Sequence, residues 1–172
     1  MGQDAKPDHE PEAIRAFTRS MLRDIHALER LISDGRIASG RPNIGMEQEL
    51  FLVDSSWRPA LVAIPVLERL NAEAYTTELA RFNLEVNLDP LELKGDCFSV
   101  LERDLLDHVE NVREAARKEG AEVILTGILP SLKKSDANLD SITPRDRYYA
   151  LNEAMTRLRS GPARLLIQGS TS

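Results

Sequence analysis

The chain has 172 residues, 42% of them hydrophobic and 29% charged, with a net charge of −6 and a pI near 5.2. Its length suits one domain with its own core or a piece of a larger one, and its acidity argues against non-specific nucleic-acid binding and against an anionic membrane surface. A lone cysteine, Cys97, excludes an intramolecular disulfide framework; no apolar run reaches membrane-spanning length and the start lacks the apolar centre of a secretory signal, so a cytoplasmic protein is expected.

Residues 1–10 are polar and without periodicity, which reads as a disordered tail before a folded part over 11–172. Pro11 suits a first helical turn. Ile14, Phe17, Met21, Ile25, Leu28 and Ile32 then recur at helical spacing, and Gly35 offers a stop, so a helix is expected over 11–34. Residues 44–53 read as a strand ended by Asp54-Ser55-Ser56, with 57–61 as a hairpin return. A short helix fits 65–72. Residues 76–88 are strand-like and closed by Asp89-Pro90.

Ser99 and Glu102 have the spacing of a capping box. Behind them Phe98, Leu101, Leu105, Val109, Val112 and Ala116 carry an apolar stripe to Gly120. Residues 122–128 read as a buried strand and 131–142 as a polar loop. Thr143-Pro144 opens a helix through Tyr148, Leu151, Met155 and Leu158 to Arg159, and 163–168 begins a last strand. The strands over 46–53 and 81–88 alternate cleanly between polar and apolar residues. Such strands favour an antiparallel sheet with helices on one face, an α+β architecture.

Four glutamates stand inside these strand-like segments: Glu47 and Glu49 in the first, Glu78 and Glu85 in the second. Carboxylates are poor strand formers and are costly to bury without a positive partner. Glu47 and Glu49 lie two apart and share a face with Phe51 and Val53; Arg81, Asn83, Glu85 and Asn87 share a face of the other strand. Were the strands neighbours, like charges would meet across them, and a hard cation such as Mg²⁺ would relieve the repulsion. A solvated sheet face is the plainer alternative. Glu78 is out of phase, seven residues before Glu85, so either a bulge or bend near Leu79-Ala80 reorients the chain or Glu78 lies outside the site.

Four short motifs together resemble the glutamate–cysteine ligase family, in its bacterial carboxylate–amine ligase branch. Gly45-Met46-Glu47-Gln48-Glu49 resembles the family's G-x-E-x-E strand, and Glu78-Leu79 with Glu85-Val86-Asn87 its next strand pair. Thr126-Gly127-Ile128-Leu129-Pro130 stands where the family has a G-x-H-P turn, and Thr143-Pro144-Arg145-Asp146-Arg147-Tyr148 resembles its x-P-R-x-R-Y helix start. The resemblance runs from about residue 40 to the end.

It implies a glutamine synthetase-like fold, a curved antiparallel sheet whose concave face binds Mg²⁺ and ATP. It also implies an activity that joins the γ-carboxylate of glutamate, or a similar carboxylate, to an amine such as cysteine through an acyl-phosphate, as in glutathione biosynthesis. On this resemblance Glu47, Glu49, Glu78 and Glu85 are Mg²⁺ ligands, the family breaking the chain between the last two, and Arg145 and Tyr148 are substrate contacts. Leu129 departs from the pattern by replacing a histidine. The family's domain is about twice as long, so the chain reads as a truncated N-terminal part with little ligase activity alone.

His9, His26 and His108 show no metal-ligand spacing and read as ordinary surface or helix residues; Cys97 reads as a packed residue. Arg145 and Arg147 either reach an anionic substrate or pair with Asp146 and Glu153. Neither phosphate-binding glycine motif occurs. Beside the ligase, two other readings remain: a non-catalytic relative that binds a nucleotide or partner, and a Mg²⁺-dependent phosphohydrolase. A homo-oligomer is compatible with all three.

Overall fold

The computed structural model describes residues 11–159; the expected tail and the expected strand over 163–168 lie outside them. The chain divides into two compact units, one running from Leu22 to Thr143 and the other made of the residues on either side.

Helix α1 (Pro11–Ser33) forms where the apolar spacing predicts it. It ends in a Schellman turn: Gly35 N–H donates to Ile32 O and Arg36 N–H to Leu31 O, with Gly35 at φ 65°. Only glycine adopts that left-handed conformation without strain. Its apolar stripe is not buried. Ile14, Phe17, Met21, Ile25, Leu28 and Ile32 are each between 45% and 68% exposed.

The larger unit is built on a four-stranded antiparallel sheet in the order β3 (Tyr75–Thr77), β4 (Asn83–Asn87), β2 (Glu47–Val53), β6 (Glu122–Ile124). A short ladder of β1 (Asn43–Ile44) with β5 (Leu91–Glu92) stands apart from it. Helices α2 (Ala63–Leu70) and α3 (Cys97–Lys118) cover one face of the sheet. Leu50 and Leu52 of β2 and Leu84 and Val86 of β4 point toward them, meeting Val66 of α2 and Leu101, Val109 and Val112 of α3. Each such side chain contributes about 1.5–3 kcal/mol by leaving water. The α+β class with helices on one face is what the alternating strands predict.

Four local expectations change. The strand-like segment 76–88 is a hairpin, β3 and β4, because Asn83 N–H donates to Ala80 O (3.0 Å) and closes a turn between them. The capping box does not form. The helix starts earlier, at Cys97, with Asp96 O accepting from Val100 N–H (3.1 Å), so Ser99 and Glu102 fall inside its first turns. Strand β6 stops at Ile124 rather than Ile128, and the 131–142 loop contains two 3₁₀ turns, Lys134–Asp136 and Leu139–Ser141. Helix α3 itself ends at a second Schellman turn, with Gly120 (φ 71°) donating to Arg117 O and Ala121 to Ala116 O.

The hairpin return after β2 forms as expected. Asp54 N–H donates to Arg58 O and Ala60 N–H to Leu52 O, while the Asp54 carboxylate caps the amides of Ser56 and Arg58. Trp57 sits at the tip with φ 61°, its own N–H donating to Asp54 O.

A candidate carboxylate centre on the open sheet face

The face away from the helices carries the glutamates. In the pairing of β2 with β4, Glu47 lies opposite Asn87, Glu49 opposite Glu85, and Phe51 opposite Asn83. Glu49 and Glu85 are thus direct cross-strand neighbours of like charge, a destabilising arrangement by itself. On the far side of β4, Thr76 of β3 is opposite Glu85. Two residues beyond Thr76, Glu78 continues on that face, diagonal to Glu85. The odd spacing of Glu78 and Glu85 is resolved by the turn, since the chain reverses between them.

The electrostatics agree with this grouping. Burial holds the Glu78 carboxyl above the usual glutamate range. A hydrogen bond from the Leu79 amide (3.0 Å) opposes it, while a hydrogen bond to Glu85 and the charges of Glu85 and Glu49 add to it. Glu78 therefore senses both Glu85 and Glu49, and Glu47 stands at the exposed end of the same face. Glu85 Oε1 accepts from Asn87 Nδ2 (2.6 Å). Next in line on β4, Asn83 Oδ1 is buried without a hydrogen-bond partner. Among the described residues none of the four glutamates is in an ion pair. None of them converges with two more His, Cys, Asp or Glu side chains in a metal-holding group either.

One end of this face is apolar. Phe51, Val53, Phe82 and Leu129 form a second buried cluster, with the Phe51 and Phe82 rings stacked 6.3 Å apart. Leu129, at the position where a histidine is expected, is 2% exposed. Its role is packing.

The segment 139–143 runs beside the β3–β4 turn. Arg81 N–H donates to Ser141 O (2.8 Å), Thr143 N–H donates to Leu79 O (2.8 Å), and Ala80 bridges Ile142. Thr143 is 1% exposed, and its hydroxyl donates to the Glu78 carbonyl at 2.5 Å. Further back, Arg58 at the hairpin return donates to Ser131 O and pairs with Asp136 at 2.5 Å. A backbone hydrogen bond from Lys133 and the Arg58 guanidinium together hold the Asp136 carboxyl below its usual range. Sequence reasoning passed over Thr143 and Arg58, because only spatial neighbours 65 and 78 residues away give them meaning.

Arg145 and Tyr148 belong to the other unit. Helix α4 (Asp146–Arg159) begins after Arg145, whose carbonyl accepts from Tyr148 N–H (3.0 Å). The Arg147 guanidinium lies 4.6 Å from the Tyr148 ring centroid and donates to its hydroxyl at 2.6 Å, and Glu153 pairs with Arg157. Of the histidines within the described residues, His26 faces Glu29 on α1, and His108 shares a hydrogen bond of 2.9 Å with the Tyr75 hydroxyl on the helix-covered side. Cys97 is buried.

Compared with known families, residues 43–171 match the glutamate-cysteine ligase family 2 (GCS2) model. No curated protein and no solved structure matches the chain.

Proposed function

The chain belongs to glutamate-cysteine ligase family 2, and on that premise we propose that it serves an ATP- and Mg²⁺-dependent carboxylate–amine ligase. The reaction would activate the γ-carboxylate of glutamate, or a similar acid, as an acyl-phosphate and pass it to an amine such as cysteine. The observation that carries this reading is the register that sets Glu49 against Glu85 with Glu78 diagonal on the same face.

The donors suit a magnesium ion in kind: the carboxylates are hard oxygens on one sheet face, with a buried amide oxygen of Asn83 on the same strand as Glu85. In this reading Glu47, Glu49, Glu78 and Glu85 would hold Mg²⁺, which when bound offsets triphosphate charge. The chain's own contribution is positioning. The ladder fixes Glu49 and Glu85 opposite each other, the turn returns Glu78 to their face, and the Phe51–Phe82–Leu129 cluster keeps water from one end. Arg145 and Tyr148 are proposed as substrate contacts.

In a chain that carries the whole family domain, ADP release that requires Mg²⁺, glutamate and an amine together is the expected result. Nucleotide binding without any such release would favour the second reading, a non-catalytic nucleotide-binding relative. The buried Leu129 supports that alternative, since it offers packing where a ligand is expected. Phosphoester hydrolysis without an amine would point to a phosphohydrolase instead.

A further inference from the structure

We propose that Thr143 is a positioning residue for the carboxylate centre, acting through Glu78; the inference rests on the cation-binding reading above. Glu78 follows β3 directly, and its backbone lacks a ladder partner of the kind that fixes Glu49 and Glu85. What holds this stretch is segment 139–143. Thr143 contributes two bonds, its amide to Leu79 O at 2.8 Å and its hydroxyl to Glu78 O at 2.5 Å. Ser141 O takes the Arg81 amide at 2.8 Å, and Asp140 O takes Arg81 Nη1 at 3.2 Å.

On the other side of the turn, Arg81 O accepts from Ala63 N–H (2.9 Å) and Phe82 O from Leu52 N–H (2.8 Å). The 78–82 backbone is thus clamped between α2 and β2 on one side and 139–143 on the other. Within that clamp the Thr143 hydroxyl is a donor to the Glu78 carbonyl, while the Leu79 amide of the same peptide group bonds the Glu78 carboxylate. A fully buried hydroxyl bonded to the carbonyl of a ligand residue restricts the direction in which that residue's side chain leaves the backbone. Partners hydrogen-bonded to a coordinating group typically affect metal affinity about 10–100-fold, and a bond to the ligand's carbonyl is placed at the low end of that range.

Mn²⁺ binding to the protein, followed by electron paramagnetic resonance, tests this. Thr143→Val, which keeps the shape and removes the donor, is expected to weaken Mn²⁺ binding about tenfold, and Thr143→Ser to bind like the wild type. In a Glu78→Gln background Thr143→Val is expected to add no further loss, which a general loosening of the fold would not produce. Thr143→Ala, whose smaller side chain lets water reach the Glu78 carbonyl, carries the same expectation should Thr143→Val fold poorly. Wild-type affinity in folded Thr143→Val or Thr143→Ala, beside a weakened Glu78→Gln, overturns the proposal while leaving the cation site intact. Additive losses in the double variant overturn it too. Equal Mn²⁺ binding by wild type and Glu78→Gln removes the underlying site.

Discussion

The two faces of the four-stranded sheet come from the same strands and have opposite fates. Leu50 and Leu52 of β2, with Leu84 and Val86 of β4, are sealed beneath α2 and α3. One residue along each strand, Glu49 and Glu85 oppose each other on the uncovered side. Among the described residues one end of that side is closed, where Leu129 and Phe82 pack with Phe51 and Val53. Alternation along one strand therefore separates the residues that hold the fold from those available for chemistry. Substitutions on the first face should be read in stability, and substitutions on the second in ligand affinity.

The largest effect tests the covered face. Leu52→Ala removes a fully buried side chain and should lower the unfolding free energy by about 2–5 kcal/mol, measured by denaturant titration. A cost under about 1 kcal/mol would undo the contrast between the faces. Next, Leu129→His should destabilise by about 1–3 kcal/mol, since it places a polar ring inside an apolar cluster. A rise in Mn²⁺ affinity with no fall in melting temperature would instead return that position to the site.

The uncovered face should respond in the opposite direction. Glu49→Gln removes a like-charge cross-strand contact and should raise stability by about 0.2–1 kcal/mol, while Mn²⁺ affinity falls. A net loss of stability would sink the view that this face is held against its own electrostatics. The smallest effect is a slope. Burial, with Glu85 and Glu49 nearby, raises the Glu78 carboxyl, so the folded chain binds its proton more tightly than the unfolded chain. Stability should fall as pH rises from the ordinary glutamate value through the raised one, and recover on acidification. In chelator-treated protein Glu78→Gln should flatten that slope, and an unchanged slope would remove Glu78 from the group.

Much of this arrangement is legible in the chain. Period-two alternation gives both faces of β2 and β4, and Gly35 and Gly120 mark two helix ends correctly. Three features resist reading for physical reasons. A turn between Thr77 and Asn83 has no strong turn residue, so the hairpin looks like one long strand and Glu78 looks misplaced. Ser99 and Glu102 match a capping box, yet the turn at Lys94–Gly95 starts the helix earlier and buries Cys97. Thr143 reads locally as the residue before a helix-opening proline, while its hydroxyl serves a carbonyl 65 positions earlier. Local spacing carries secondary structure; contacts across the chain do not leave a spacing.

The hairpin return after β2 has a practical consequence for every measurement proposed above. Trp57 is the chain's only tryptophan, and it sits 63% exposed at that tip. Its fluorescence should already resemble that of a water-bathed indole in the native protein, with little further red shift on unfolding. Emission would therefore track the tip near Arg58 and stay nearly blind to the collapse of the leucine layer, so denaturation is better followed by far-ultraviolet circular dichroism of α3.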